Sequence, residues 1–87
     1  MGHSAANTKN MPAEIAGWYG TGAIVLAYLL VSFDLTPSDG LVYQLLNLTG
    51  AIGIIVIATV KGVRQSVVLN LFWGIIATVA IVRLLIK

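Results

Sequence analysis

An apolar run at residues 41–60, with no charged side chain between Asp39 and Lys61, most constrains what this chain can fold into. At ~1.5 Å of rise per residue, a helix over these residues spans the ~30 Å hydrocarbon core of a bilayer. A helix that is apolar on all sides lies in a large protein core or in a membrane. The run therefore predicts a transmembrane helix.

Two similar runs flank this central one, at residues 15–33 and 67–86, and the second contains Arg83 near its end. We predict an all-α fold, a polytopic helical membrane protein with three transmembrane helices in a domain over residues 13–87. The polar residues 1–12 have little to bury, so we expect a disordered N-terminal tail. An odd number of spans places the two ends of the domain on opposite sides of the membrane.

Composition excludes several classes of function. Only 9% of the residues are charged, against ~25% in an average globular protein. The cations are scattered rather than clustered, so we expect no nucleic-acid partner. The chain has no cysteine, His3 is its single histidine, and the three carboxylates, Glu14, Asp34 and Asp39, lie near predicted helix ends. We therefore expect no metal, no cofactor and no catalytic residue set, and we predict that the protein is not an enzyme.

The predicted connections are short. Residues 34–40 contain Pro, Ser, Asp and Gly, which is typical of a turn, and Ser38 or Asp39 is expected to cap the second helix. Residues 61–66 form the second connection, and Ser66 is the expected cap of the third helix.

The cations indicate an orientation. Lys9, Lys61 and Arg64 fall on one side of the predicted membrane, and Arg83 and Lys87 fall on the other. Because cytoplasmic flanks are enriched in Lys and Arg, we expect the N-terminus inside, in a bacterial inner membrane.

The polar and aromatic residues inside the spans are the candidate site. Depth at ~1.5 Å per residue predicts two layers, one formed by Tyr28 with Asn47 and Gln44, the other by Tyr19 with Asn70. Trp73 shares a helical face with Asn70. A buried amide in hydrocarbon needs a partner, so these residues serve either as interhelical contacts or as a binding site for a small solute. The candidates are Tyr19, Tyr28, Gln44, Asn47, Asn70 and Trp73.

Small residues recur at helical contact spacing. Such stripes let membrane helices approach closely. The predicted packing positions are Gly17, Thr21, Gly50, Gly53, Gly74 and Thr78.

Four short segments carry a resemblance. They are Gly17-Trp18-Tyr19-Gly20, Ala27-Tyr28, Tyr43-Gln44-Leu-Leu-Asn47-Leu-Thr-Gly50 and Leu69-Asn70-Leu-Phe-Trp73. On these segments the chain resembles the CBU-like domain family of small three-span bacterial membrane proteins. The resemblance implies the fold and membrane residence, and it supplies no substrate. A looser likeness is to the semi-SWEET sugar transporters, whose sugar site contains Asn and Trp, although the first span here lacks their Pro-Gln motif.

Two functions remain open at this point. The first is a non-catalytic accessory or assembly module, with the lipid bilayer around it and a homo-oligomer or larger membrane complex as its partner. The second is a homodimeric carrier of a small neutral solute, with Asn47, Asn70, Trp73 and Tyr28 at its site.

Overall fold

A computed structural model describes residues 10–87 and contains three helices: α1 over Met11–Ser32, α2 over Leu41–Lys61 and α3 over Arg64–Leu85. Each helix is long and apolar enough to cross a membrane. The structure confirms the predicted all-α, three-span architecture.

The first helix begins earlier than its apolar run. Asn10 caps α1 by accepting a hydrogen bond from the Ala13 backbone N–H at 3.3 Å, and Pro12 occupies the first turn, where its missing N–H costs nothing. Helical structure therefore starts at Met11, so residues 11 and 12, which were assigned to the tail over residues 1–12, belong to α1. The disorder expected for residues 1–9 lies outside the described part of the chain.

The turn between α1 and α2 depends on a left-handed residue. Asp34 has φ 58°, its N–H donates to the Val31 carbonyl, and the Leu35 N–H donates to the Leu30 carbonyl at 2.8 Å. This pair of bonds is a Schellman motif, which satisfies carbonyls left free at a helix end. The prediction that Ser38 or Asp39 caps α2 is wrong, because Gly40 holds that position and makes no side-chain cap.

The connection between α2 and α3 is shorter than predicted. Gly62 has φ 73°, its N–H donates to the Thr59 carbonyl, and the Val63 N–H donates to the Ala58 carbonyl at 2.9 Å. This second Schellman motif reverses the chain in two residues, so α3 begins at Arg64 rather than at residue 67. Ser66 therefore lies inside the helix and cannot be its cap, as was predicted; Val63 occupies the capping position without a side-chain bond.

The central helix organises the packing. α1 packs against α2 and α2 packs against α3, whereas α1 and α3 have little contact with each other. The buried residues of α1 form a stripe of small side chains spaced three or four apart, Ala13, Gly17, Gly20, Ala23 and Ala27. At the open end of the α1–α2 pair, the Lys61 Nζ lies 3.2 Å from the Glu14 Oε2.

Candidate functional site

Glycines bring the α1 and α2 backbones into direct contact. A Cβ built on Gly53 would lie 2.3 Å from the Ala16 carbonyl oxygen, and one built on Gly20 would lie 2.5 Å from the Gly50 carbonyl oxygen. These distances are far inside van der Waals contact, so only glycine fits at this crossing. Glycine is therefore required at Gly20 and Gly53, where α1 and α2 cross.

The predicted packing residues do not all share this interface. Gly17 lies there, since a Cβ on it would meet the Ile57 side chain at 2.7 Å. Thr21 is exposed and its hydroxyl donates to the Gly17 carbonyl at 2.9 Å. Gly74 lies between α2 and α3, where an added Cβ would make only ordinary van der Waals contacts, since the nearest atoms would be 3.8 Å away. Thr78 is exposed and donates to the Gly74 carbonyl.

A hydroxyl pair joins α1 to α2. The Tyr19 hydroxyl lies 2.7 Å from Thr49 Oγ1. The Thr49 hydroxyl also contacts the Leu45 carbonyl at 2.8 Å, so its single hydrogen is directed into its own helix. Tyr19 is therefore the donor to Thr49, and the two spans are linked by a hydrogen bond between side chains.

An indole–amide pair joins α2 to α3. Trp73 Nε1 donates to Asn47 Oδ1 at 2.9 Å, and Asn47 Nδ2 donates to the Tyr43 carbonyl at 2.8 Å. Asn47 is 4% exposed, so both ends of its amide are paired in an apolar surrounding, as a buried amide requires. Trp73 keeps 46% of its surface exposed.

A cavity of about 200 Å³ lies beside this pair. Its walls come from the first two turns of α2 and the middle of α3. The lining residues are Tyr43, Gln44, Asn47, Trp73, Ile76 and Ala77.

Asn70 lies three residues before Trp73 on α3 and lines a different space between α2 and α3. It is 7% exposed, and its Nδ2 donates to the Ser66 carbonyl at 2.9 Å. It lines an apolar groove of about 290 Å³ between α2 and α3, together with Ala51, Gly74 and Thr78.

The depth of each polar residue in the membrane did not predict its hydrogen-bond partner correctly. The layers predicted Tyr28 with Asn47 and Tyr19 with Asn70, whereas the structure pairs Asn47 with Trp73 and Tyr19 with Thr49. Tyr28 is 72% exposed on the outside of α1. Gln44 lies beside the cavity, and its Nε2 donates to the Ser38 carbonyl at 3.2 Å, closing the turn before α2.

Three contributors were missed as site residues: Thr49, Gly20 and Ala51. Gly20 was detectable from its spacing, because Gly17 and Gly20 repeat the three-residue interval of Gly50 and Gly53. Thr49 was also detectable, because it is a polar residue inside a span and lies four residues before Gly53. Ala51 carried no signal that distinguishes it from other small residues in apolar helices.

Three packed helices of this length and apolarity, with polar side chains paired between them, define a small helical membrane protein. A family model matches residues 13–87. The chain belongs to that family, and the match agrees with the resemblance to the CBU-like domain proteins and covers all three helices. No curated protein and no solved structure matches the chain.

Proposed function

We propose that this protein is a non-catalytic membrane module that assembles with other transmembrane helices, in a bacterial inner membrane with the N-terminus inside. Its polar side chains serve helix association rather than chemistry. Two hydrogen bonds between side chains link the three spans, one between Tyr19 and Thr49 and one between Trp73 and Asn47.

The amide of Asn70 is the observation that carries the proposal. Asn47 has both ends of its amide paired, whereas Asn70 directs its NH₂ group to Ser66 and its carbonyl oxygen accepts no hydrogen bond from residues 10–87. Since no buried side-chain nitrogen or oxygen among these residues lacks a partner, this oxygen is accessible from the groove. An unpaired carbonyl in hydrocarbon is unfavourable. A partner helix that brings a donor into this groove relieves it.

Photo-crosslinking in native membranes tests the assembly role. A benzophenone side chain placed at Ile75, which lines the groove, is expected to give adducts of discrete mass. The same group at Val25, which is exposed on α1, is the matched control and should give lipid adducts. Lipid adducts alone at both positions would contradict an assembly role.

The cavity beside Trp73 favours a second candidate, a homodimeric carrier of a small neutral solute. A space of about 200 Å³ with two amides, a phenol and an indole in its wall suits a small polar molecule. Purified protein in liposomes should then take up a labelled neutral solute. Trp73→Phe should reduce uptake at least tenfold, and Phe72→Leu, on the neighbouring outward position, should leave it unchanged; equal rates for both variants would reject this candidate.

A further inference from the structure

A charged space opens where the first connection meets the end of α3, and we call it the polar cleft. It measures about 250 Å³, and its lining residues are Asp39, Gln44, Ala80, Arg83, Leu84 and Lys87. Asp39 comes shortly before α2 begins at Leu41, and Arg83 lies in the last turn of α3. With the helices across a bilayer, these charged groups lie at the level of the lipid headgroups.

The charges of the polar cleft do not pair with one another. Residues 10–87 contain a single ion pair, between Lys61 and Glu14 at the other end of α2. Asp39 therefore forms no ion pair with Arg83 or Lys87, although all three line one space and are exposed. One carboxylate and two cations are left for a ligand.

The turn that carries the carboxylate is held by hydrogen bonds. Gln44 Nε2 donates to the Ser38 carbonyl at 3.2 Å, and the Gly40 N–H donates to the Pro37 carbonyl at 3.1 Å. Asp39 lies between these bonded residues, so its backbone is fixed at the edge of the cleft without a ligand.

The end of α3 supplies the cationic wall. Ala80 and Arg83 are three residues apart and share a helical face, and Lys87 follows just after the helix ends. The short side chain of Ala80 leaves this wall open. A guanidinium group binds phosphate oxygens through two parallel N–H donors, and an ammonium group binds them as a point charge.

We propose that the polar cleft binds the headgroup of a zwitterionic phospholipid, with its phosphodiester on Arg83 and Lys87 and its ammonium group on Asp39. Phosphatidylethanolamine has this arrangement of charges. Phosphatidylglycerol presents the same phosphodiester but has no cation for Asp39, so its net negative charge lies beside an unpaired carboxylate. The cleft therefore selects the ethanolamine headgroup, since a repulsive contact against the competitor contributes to specificity.

Lipid competition tests this selectivity. The purified protein is placed in nanodiscs with equal amounts of phosphatidylethanolamine and phosphatidylglycerol, and native mass spectrometry measures the ratio of the two lipids that stay bound. We expect phosphatidylethanolamine to exceed phosphatidylglycerol about threefold, which is the contribution of one exposed ion pair. Equal retention, or an excess of phosphatidylglycerol, would overturn the zwitterionic ligand.

Two aspartates of the same connection form a matched pair for the ammonium contact. Asp39→Asn should bring the lipid ratio close to one. Asp34→Asn should keep the ratio of the unchanged protein, because Asp34 does not line the cleft and asparagine tolerates its left-handed backbone. An unchanged ratio in Asp39→Asn, or the same loss in both variants, would overturn the role of Asp39.

Two arginines form the matched pair for the phosphate contact. Arg83→Gln should lower the amount of bound phosphatidylethanolamine about fivefold, because a contact with the phosphate is lost. Arg64→Gln removes the same charge at the start of α3, beside a space that no carboxylate lines, and should have little effect. Equal retention in the two variants would overturn the phosphate contact.

Water-soluble phosphoethanolamine distinguishes a lipid from a free phosphate ester, because it carries the same charges without acyl chains. Added at millimolar concentration, it should leave the bound lipid in place, since the acyl chains keep the lipid headgroup at the membrane face. Displacement of the lipid would overturn a phospholipid as the ligand and indicate a soluble phosphate ester in its place.

Discussion

Gly62 and Asp34 show what a single residue contributes to this fold, because each ends a helix in the left-handed region. Glycine adopts that region freely, whereas a residue with a Cβ loses ~1–2 kcal/mol there. Gly62 has no neighbouring atom within 4 Å of an added Cβ. Any effect of substitution at this position is therefore conformational and involves no steric clash.

We predict that Gly62→Ala lowers the free energy of unfolding by about 1–2 kcal/mol. Unfolding in mixed micelles, followed by circular dichroism, measures it. Gly22→Ala is the matched control, since it too has open space around the added Cβ but lies within α1. There alanine is the better helix former by ~1 kcal/mol, so the two variants should shift stability in opposite directions. A loss at both positions would contradict this account.

The Trp73–Asn47 bond supplies a second prediction for single residues. Trp73→Phe removes the indole donor, and Asn47→Leu removes the acceptor. In a double-mutant cycle we expect a favourable coupling of ~0.6–1.7 kcal/mol, between the average and the largest value found for intramembrane hydrogen bonds. The same cycle between Trp73 and Thr49, whose side-chain hydrogen bonds run to α1 and to its own helix, should give a coupling close to zero.

Among the helices, the two interfaces of α2 differ in how closely they are packed and therefore in which side chains they can accommodate. Between α1 and α2 the backbones touch at Gly20, Gly50 and Gly53. Between α2 and α3 the contact includes Asn47, Trp73 and two open spaces. The first interface therefore tolerates no added atoms at its crossing, while the second has room for them.

We predict that Gly53→Ala separates α1 from α2 and destabilises the protein by about 1–3 kcal/mol, the usual effect of overpacking. Gly74→Ala is the control, because its Cβ meets only ordinary contacts at 3.8 Å and should be tolerated. Thermal unfolding in one detergent compares the two. Equal losses in the two variants would contradict a special role of the α1–α2 crossing, since helix propensity alone favours alanine at both positions.

Sequence predicts the helices of this protein better than their partners. The spans follow from apolar length alone, so residues 41–60 predicted α2 within one residue. The depth of Asn47 was also available, but depth does not fix the rotation of a helix about its axis. Rotation places the Asn47 amide towards Trp73 on α3 and leaves Tyr28 on the outside of α1. The early start of α3 was missed because residues 61–66 are mostly polar and were all assigned to the connection. The Schellman motif at Gly62 reverses the chain in two residues, so Arg64 already lies in α3.

For the whole molecule, three spans leave the two connections on opposite membrane faces. We predict that a cysteine at Ser38 reacts with a membrane-impermeant maleimide added outside the cell, because the proposed orientation has the N-terminus inside. A cysteine at Gln65 should react only after the membrane is opened. Ser38 is exposed in the first connection and Gln65 is exposed in the first turn of α3, so each is the control for the other. The reverse labelling pattern would place the N-terminus outside.

The row in which α1 meets α2 and α2 meets α3 also determines how the chain assembles during synthesis. Every helix packs on its neighbour in sequence, so the first interface is available once α2 has entered the bilayer, while α3 is still being made. The two-residue reversal at Gly62 then delivers α3 directly against α2. Low sequence separation between contacts favours rapid folding. The interfaces can therefore form in the order in which the helices are synthesised, α1 with α2 first and α2 with α3 second.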